Sequence, residues 1–189
     1  VAPLRRVALF PTSAGDYEAG ILAVSCDIPQ QRGRRGSLLE DFFAGDPFFG
    51  RSQSVLLKSE SIAIEVLPLP EQGRPQEFSG AVGRFRLDVQ VQPTHVAAGD
   101  PVTLRVVIEG QGNMAAVQAP DIGGAAGIKL YDPKVEEEEH VSNGIYGGRR
   151  TFEYIVIPEQ GGMMEIPPVR FAYFDPNAER YQVLESELI

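Results

Sequence analysis

The groups in this chain that could hold a metal, cradle a phosphate or move a proton are few. Four adjacent carboxylates, Glu136, Glu137, Glu138 and Glu139, stand before His140 in VEEEEH, with Asp132 and Lys134 just ahead of them. Carboxylate oxygens suit Ca²⁺, a hard cation that takes oxygen ligands. Neighbouring residues of a strand point to opposite faces, so these four do not converge on one ion. The run therefore reads as a solvated acidic edge that discourages pairing between sheets. Asp175, Asn177 and Glu179 have the alternate spacing of a calcium loop, but Arg180 stands where such a loop needs glycine. That stretch reads as a hairpin turn.

FSGAVGRF, Phe78–Phe85, contains a Gly-x-x-Gly, which invites a phosphate-loop reading. It lacks the Lys-Ser/Thr of a P-loop and the third glycine of a dinucleotide fingerprint, and a strand pattern follows it rather than a helix. A nucleic-acid clamp of the KH type needs a helical, basic setting. The expected role is a flexible joint, with glycines supplying backbone freedom. His95 falls in a turn and His140 after the acidic run, neither with a partner in sequence, and there is no G-x-S-x-G or H-E-x-x-H. Cys26, the one cysteine, lies in the apolar run ILAVSCDI and reads as a buried structural thiol. No catalytic residue, cofactor or metal is expected, and the chain is expected not to be an enzyme.

The elements that position these groups are short strands. Of 189 residues, 20 are Gly and 15 Pro, an excess that favours tight turns over long helices. Phe85, Leu87, Val89 and Val91 alternate with polar residues, as do Val102, Leu104, Val106 and Ile108. Further strands are expected at 128–131, 151–157, 169–174 and 181–184, and in the first part at 7–10, 17–27 and 55–67. The fold expected is all-β, with tandem immunoglobulin-like antiparallel β-sandwiches. An internal echo supports two units. PTSAGDYEAGILAVSCD from Pro11 parallels PEQGGMMEIPPVRFAYFD from Pro158, pairing Gly15 with Gly162, Glu18 with Glu165, Leu22 with Val169 and Val24 with Phe171. The motif comes early in the first unit and late in the second, so the first is expected to be N-terminally truncated. The boundaries expected are 1–77 for the partial sandwich, 78–84 for a junction and 85–189 for the complete sandwich.

A net charge of −9 repels phosphate backbones and weighs against nucleic acid as a partner. No apolar run approaches the ~20 residues that span a bilayer, and no signal-peptide pattern opens the sequence, so any anchor is expected to lie beyond these residues. The segment 38–50 sets Phe42, Phe43, Phe48 and Phe49 among Glu40, Asp41 and Asp46. It reads either as a cap on the first core or as an exposed aromatic tip that contacts a partner protein.

Several phrases in order, DPFFG, VLPLPEQGRPQEFSGAVGRF, VAAGDPVTLRVVIEGQGN, APDI, GIKLYDPK, RRTFEYIVIPEQGG and IPPVRFAYFDPNAERY, resemble the BatD family of bacterial oxygen-tolerance (aerotolerance) proteins. The resemblance covers nearly the whole chain. It implies an exported, membrane-anchored protein with immunoglobulin-like domains in the periplasm. Such proteins are encoded beside von Willebrand factor A-domain proteins and a MoxR-type ATPase, in a system linked to stress response. It supplies no catalytic residues. The function expected is a non-enzymatic protein-interaction module for von Willebrand A-type envelope partners. Their metal-ion sites accept a ligand carboxylate, which Glu136–Glu139 or Asp46 could donate. A carbohydrate-binding or adhesion sandwich is the alternative, though the chain has no Trp to stack on sugar. Open strand edges also make a homodimer or domain swap an expected possibility.

Overall fold

A computed structural model describes residues 7–29, 52–124 and 127–189. Its regular structure is strand, apart from one 3-10 turn at Met114–Ala116. The protein is all-β, as the alternation of apolar residues predicts. The chain forms two compact units, Pro11–Leu69 and Pro70–Ile189, the second joined by the N-terminal stretch through Phe10.

In the Pro11–Leu69 unit, β1 (Gly15–Ala19) pairs with β4 (Ile62–Val66), and β2 (Ala23–Pro29) pairs with β3 (Ser52–Lys58), both antiparallel. Ala19 faces Ile62 and Ala23 faces Lys58, so residues 20–22 lie against 59–61 with no change of register. The two ladders are thus one ribbon. Tyr17 with Ile64 and Ala19 with Ile62 line one face of β1–β4, while Asp16 and Glu65 take the other. In β2–β3 the apolar pairs are Val24 with Leu57 and Cys26 with Val55. Cys26 is half-buried, less covered than its apolar surroundings led us to expect, because among the described residues the two-stranded ribbon has no second layer to enclose it. Residues 30–51 lie outside the described residues, and with them Phe42, Phe43, Asp46, Phe48 and Phe49.

The second unit has two layers that share one strand. β5 (Phe78–Gln92) pairs along Gly83–Gln92 with β6 (Val102–Gly112), antiparallel. β6 pairs with β9 (Ile145–Pro158), and both β7 (Ile128–Leu130) and β8 (Lys134–Ser142) pair with the far side of β9. The first part of β5 belongs to the other layer. There Phe78 and Val82 lie parallel to Ala172 and Phe174 of β10 (Arg170–Asp175), which pairs with β11 (Arg180–Glu185). Strands that bend from one sheet into another make the corners of β-sandwiches. Gly80 (φ +106°) and Gly83 (φ +152°) make this one, in a backbone region closed to most side chains.

The residues expected to be a junction, 78–84, are therefore a strand inside the second unit. The expectation failed because glycine serves a close backbone approach as well as it serves a loose joint. Upstream, residues 70–78 are fastened to the same layer. Tyr181 Oη donates to the Pro70 carbonyl at 2.7 Å, and its ring packs edge-on against Phe78 and Phe174.

Between the layers, Leu104, Val106, Ile108, Met114, Val117, Phe152 and Val169 are fully enclosed. Each large aliphatic or aromatic side chain so buried contributes about 1.5–3 kcal/mol. At one end of the sheet the core thins to backbone. Gly110 faces Gly148 and Gly83 faces Gly112, and the Phe85 ring lies over Gly110 and Gly112. Phe85 also meets Phe171 and Tyr173 of the opposite layer edge-on. Arg150 projects inward, and one of its terminal nitrogens donates to the carbonyls of Met114, Ala115 and Val117 at 3.0, 3.1 and 2.7 Å. It holds the 3-10 turn against the sheet. Tyr154 Oη donates to the Pro120 carbonyl at 2.7 Å and tethers the next stretch, and burial pushes its pKa up to about 12.

The echo seen in sequence recurs in hydrogen bonds. Leu22 N–H donates to Ser59 Oγ, Ser59 N–H donates to the Leu22 carbonyl, and Ser59 Oγ donates to the Glu60 carbonyl. Val169, Ser186 and Glu187 make the same three bonds. The β2–β3 ladder thus corresponds to β10–β11, with Val24 opposite Leu57 as Phe171 is opposite Leu184.

Candidate interaction surface

The acidic run lies in β8, the outermost strand on one side of the β5–β6–β9 layer. All nine of its residues are exposed. Four consecutive glutamates have poor intrinsic strand preference, so pairing with β9 holds them extended. The register explains how. Glu137 and Glu138 lie opposite Arg150 and Arg149. Glu137 approaches Arg150 Nε at 3.5 Å, and Lys134 pairs with Glu136 at 2.6 Å.

The four carboxylates alternate as strand geometry requires. Val135 and Glu137 lie on the face of Phe152, while Glu136 and Glu138 lie on the opposite, polar face. There the charges form a row across four strands, Arg86, Glu109, Arg149 and Glu138, each opposite the next. Glu109 Oε2 accepts from Arg86 at 2.9 Å and from both Nε and Nη2 of Arg149 at 3.1 and 2.9 Å. These two guanidiniums hold the Glu109 carboxyl below the usual carboxylate range. Opposite-charge pairs of this kind contribute roughly 0.2–1 kcal/mol each. The row was not recognised in the sequence, because Arg86, Glu109 and Arg149 meet only through strand register. Its signal was the placement of charge on the polar side of each alternation.

At the end of β8 the neighbouring Glu139 carboxylate, with burial, raises the Tyr146 phenol's pKa to about 12. The Tyr146 ring packs on Phe10 at 5.0 Å. His140 lies opposite Gly147. The outer edge of β8 bonds to no other strand among the described residues. Antiparallel pairing of two copies centred on Glu138 would set Glu137 against the other copy's Glu139, and like charges opposed in this way are destabilising. That register is therefore disfavoured for two copies of this edge.

The remaining candidates fall elsewhere. Asp175 Oδ1 accepts from the backbone of Asn177 at 2.9 Å and of Ala178 at 3.3 Å, so its carboxylate builds the turn between β10 and β11. His95 lines a cleft of about 320 Å³ and mixed polarity with Val91, Thr94, Val102, Val156, Gln160 and Ile166, and no side-chain carboxylate or thiol lines it. Among the described residues no three His, Cys, Asp or Glu side chains gather to hold a metal ion. No helix among them is long and apolar enough to cross a membrane.

The second unit is thus an all-β sandwich whose polar groups are spent on strand register and turn fastening, with an acidic strand at its edge. The BatD DUF11-like domain matches residues 89–189, more than half of the sequence, and the chain belongs to the BatD family. No curated protein and no solved structure matches it.

Proposed function

We propose that this chain is a non-enzymatic interaction module of an extracytoplasmic oxygen-tolerance protein, anchored to the membrane through residues beyond these. Its partners are envelope proteins with von Willebrand A-type domains. The observation that supports this reading is β8, a fully exposed edge strand that carries Glu136–Glu139 in one extended row. Glu138 makes no ion pair of its own among the described residues, since Arg149 bonds to Glu109. Its carboxylate is placed to complete the coordination of a divalent ion held by the partner, as carboxylate oxygens do for hard cations. The backbone of β8 stays extended, so the acid arrives on a rigid element rather than a loop.

The test is capture of a purified von Willebrand A-type domain with Mg²⁺ by the immobilised chain. Replacing Glu136–Glu139 by Gln should abolish capture, as should EDTA. Amide exchange in β8 and β9 of that variant checks that the strand stays in place once Glu137 no longer pairs with Arg150 and Glu136 no longer pairs with Lys134. Capture that survives the substitution removes β8 from the account.

A further inference from the structure

The outer face of the layer formed by β5, β6, β9 and β8 is a grid set by strand register. Arg86, Glu109, Arg149 and Glu138 make one row across the four strands. Two residues along, Asp88, Val107, Thr151 and Glu136 make the middle row. Two further on, Gln90, Arg105, Glu153 and Lys134 make the third. The centre of the middle row is low. Thr151 is 4% exposed and Val107 is half-buried, while Arg86, Arg105 and Arg149 stand exposed on either side. A shallow hollow of about 480 Å³ opens there, lined by Val107 with Arg86, Arg105, Glu109 and Arg149.

The first and third rows complement each other in charge. A two-fold rotation about the middle row lays the third row of a second copy on the first row of this one. Glu109 then meets Arg105 of the second copy, and Arg149 meets its Glu153. Symmetry makes each contact twice, with Val107 on Val107 and Thr151 on Thr151 at the centre. Packed sheets cross at about 30°, and with rows about 6.8 Å apart this moves the paired groups sideways by only ~3 Å, less than one strand spacing. At the margins Arg86 meets Gln90, Glu138 meets Lys134, and Asp88 and Glu136 each meet their own equivalents. Those two like-charge contacts lie on the outer strands of the layer, where water and salt screen them. The chain as a whole carries a net charge of −9 and repels its own copies. The grid carries four cationic and five anionic side chains, so here two copies approach with their charges nearly balanced.

We infer that this polar face is a self-association surface, on which two copies of the chain pack face to face with β6 lying antiparallel on β6. The contact is a packing of faces rather than an addition at open strand edges, and it does not rest on the reading of β8. Four strands about 4.8 Å apart, over the length of about 27 Å from 103 to 111, offer roughly 500 Å² on each copy, or about 1,000 Å² in total. That is the size of a weak, reversible interface rather than an obligate one. Its charge pairs fix which way the copies face more than how tightly they hold.

The test is sedimentation equilibrium of the full chain at concentrations up to about 1 mM, where weak contacts are populated. A reversible monomer–dimer equilibrium is expected, weakened about tenfold or more when salt rises from ~0.05 M to ~0.5 M. Arg105→Glu and Glu109→Lys, each alone, should be monomeric, since each sets like charges together twice in the symmetric pair. Mixed in equal amounts they should dimerise again, because one of the two contacts is then unchanged and the other is reversed in sign. Such recovery requires both variants to be folded, and a two-fold axis along the strands would not give it. A chain that stays monomeric throughout, a dimer indifferent to salt or to Arg105→Glu, or a mixture that fails to associate overturns the inference.

Discussion

Replacing Gly110 by Ala should damage the second unit far more than a single methyl group suggests. A Cβ at this position would sit 2.8 Å from Phe85 Cα and 2.9 Å from Phe85 Cδ1, and closer still to the Arg84 carbonyl oxygen. Two of those three neighbours are backbone atoms of the β5–β6 ladder and cannot swing aside. The third belongs to a ring already held by Phe171 and Tyr173. Relief therefore requires the two strands to part, which breaks their hydrogen bonds and lifts Phe85 from the core. Overpacking alone costs 1–3 kcal/mol, so a loss of about 3 kcal/mol is expected. For a unit of this size that lowers the melting temperature by roughly 10 °C. Gly161→Ala is the control, since a Cβ there meets nothing within 4 Å. It should be neutral or stabilise by about 0.4–1 kcal/mol through the unfolded chain. Thermal and urea denaturation of the three proteins measures both effects. A Gly110→Ala protein as stable as its Gly161→Ala counterpart would refute the close-approach argument.

Two further outcomes follow from the polar groups inside the second unit. Arg150→Met should cost about 2–4 kcal/mol in urea unfolding, because the carbonyls of Met114, Ala115 and Val117 lose their donor while the apolar stem is kept. A loss under about 0.5 kcal/mol would mean that the 3-10 turn holds itself. Tyr154 has its folded pKa raised to about 12, so between the ordinary value of 10.0 and that value the unfolded chain releases a proton that the native one keeps. Stability should be fully present below pH 10, fall as pH rises toward 12, and do so less steeply in Tyr154→Phe. Alkaline unfolding curves of both proteins, with tyrosinate absorbance, check the sign.

The strands of the second unit were legible because one of their faces is buried. Phe85–Val91 and Val102–Ile108 show the two-residue period that a half-buried sheet imposes. The relation between the units was legible too, since Leu22 and Val169 occupy matching places in both sequence and hydrogen bonding. The role of residues 78–84 was not. Nothing near Gly80 and Gly83 indicates that Phe78 pairs with Ala172, and only that distant pairing turns a loose joint into a sheet corner. The acidic run was legible as a solvated edge, but its length and its pairing with β9 were not. Its extended state is imposed by Arg149, Arg150 and the rest of β9, which local preference does not see. Residues 40–49, with their four phenylalanines, were conspicuous in composition but lie outside the described residues.

The placement of β5 has a consequence for how the protein is made. Its first residues leave the ribosome well before β10, since Phe78 and its partner Ala172 are 94 positions apart. Until β10 is synthesised, the part of β5 before Gly83 has no neighbour, while the part after it can already pair with β6. Long-range pairing of this kind is slow, because loop closure must precede the contacts that reward it. The nascent chain therefore carries a half-committed strand, hinged at its glycines, for most of the synthesis of the unit. That interval is when a chaperone would have a segment to hold, and Phe78–Val82 is the part of the unit left waiting.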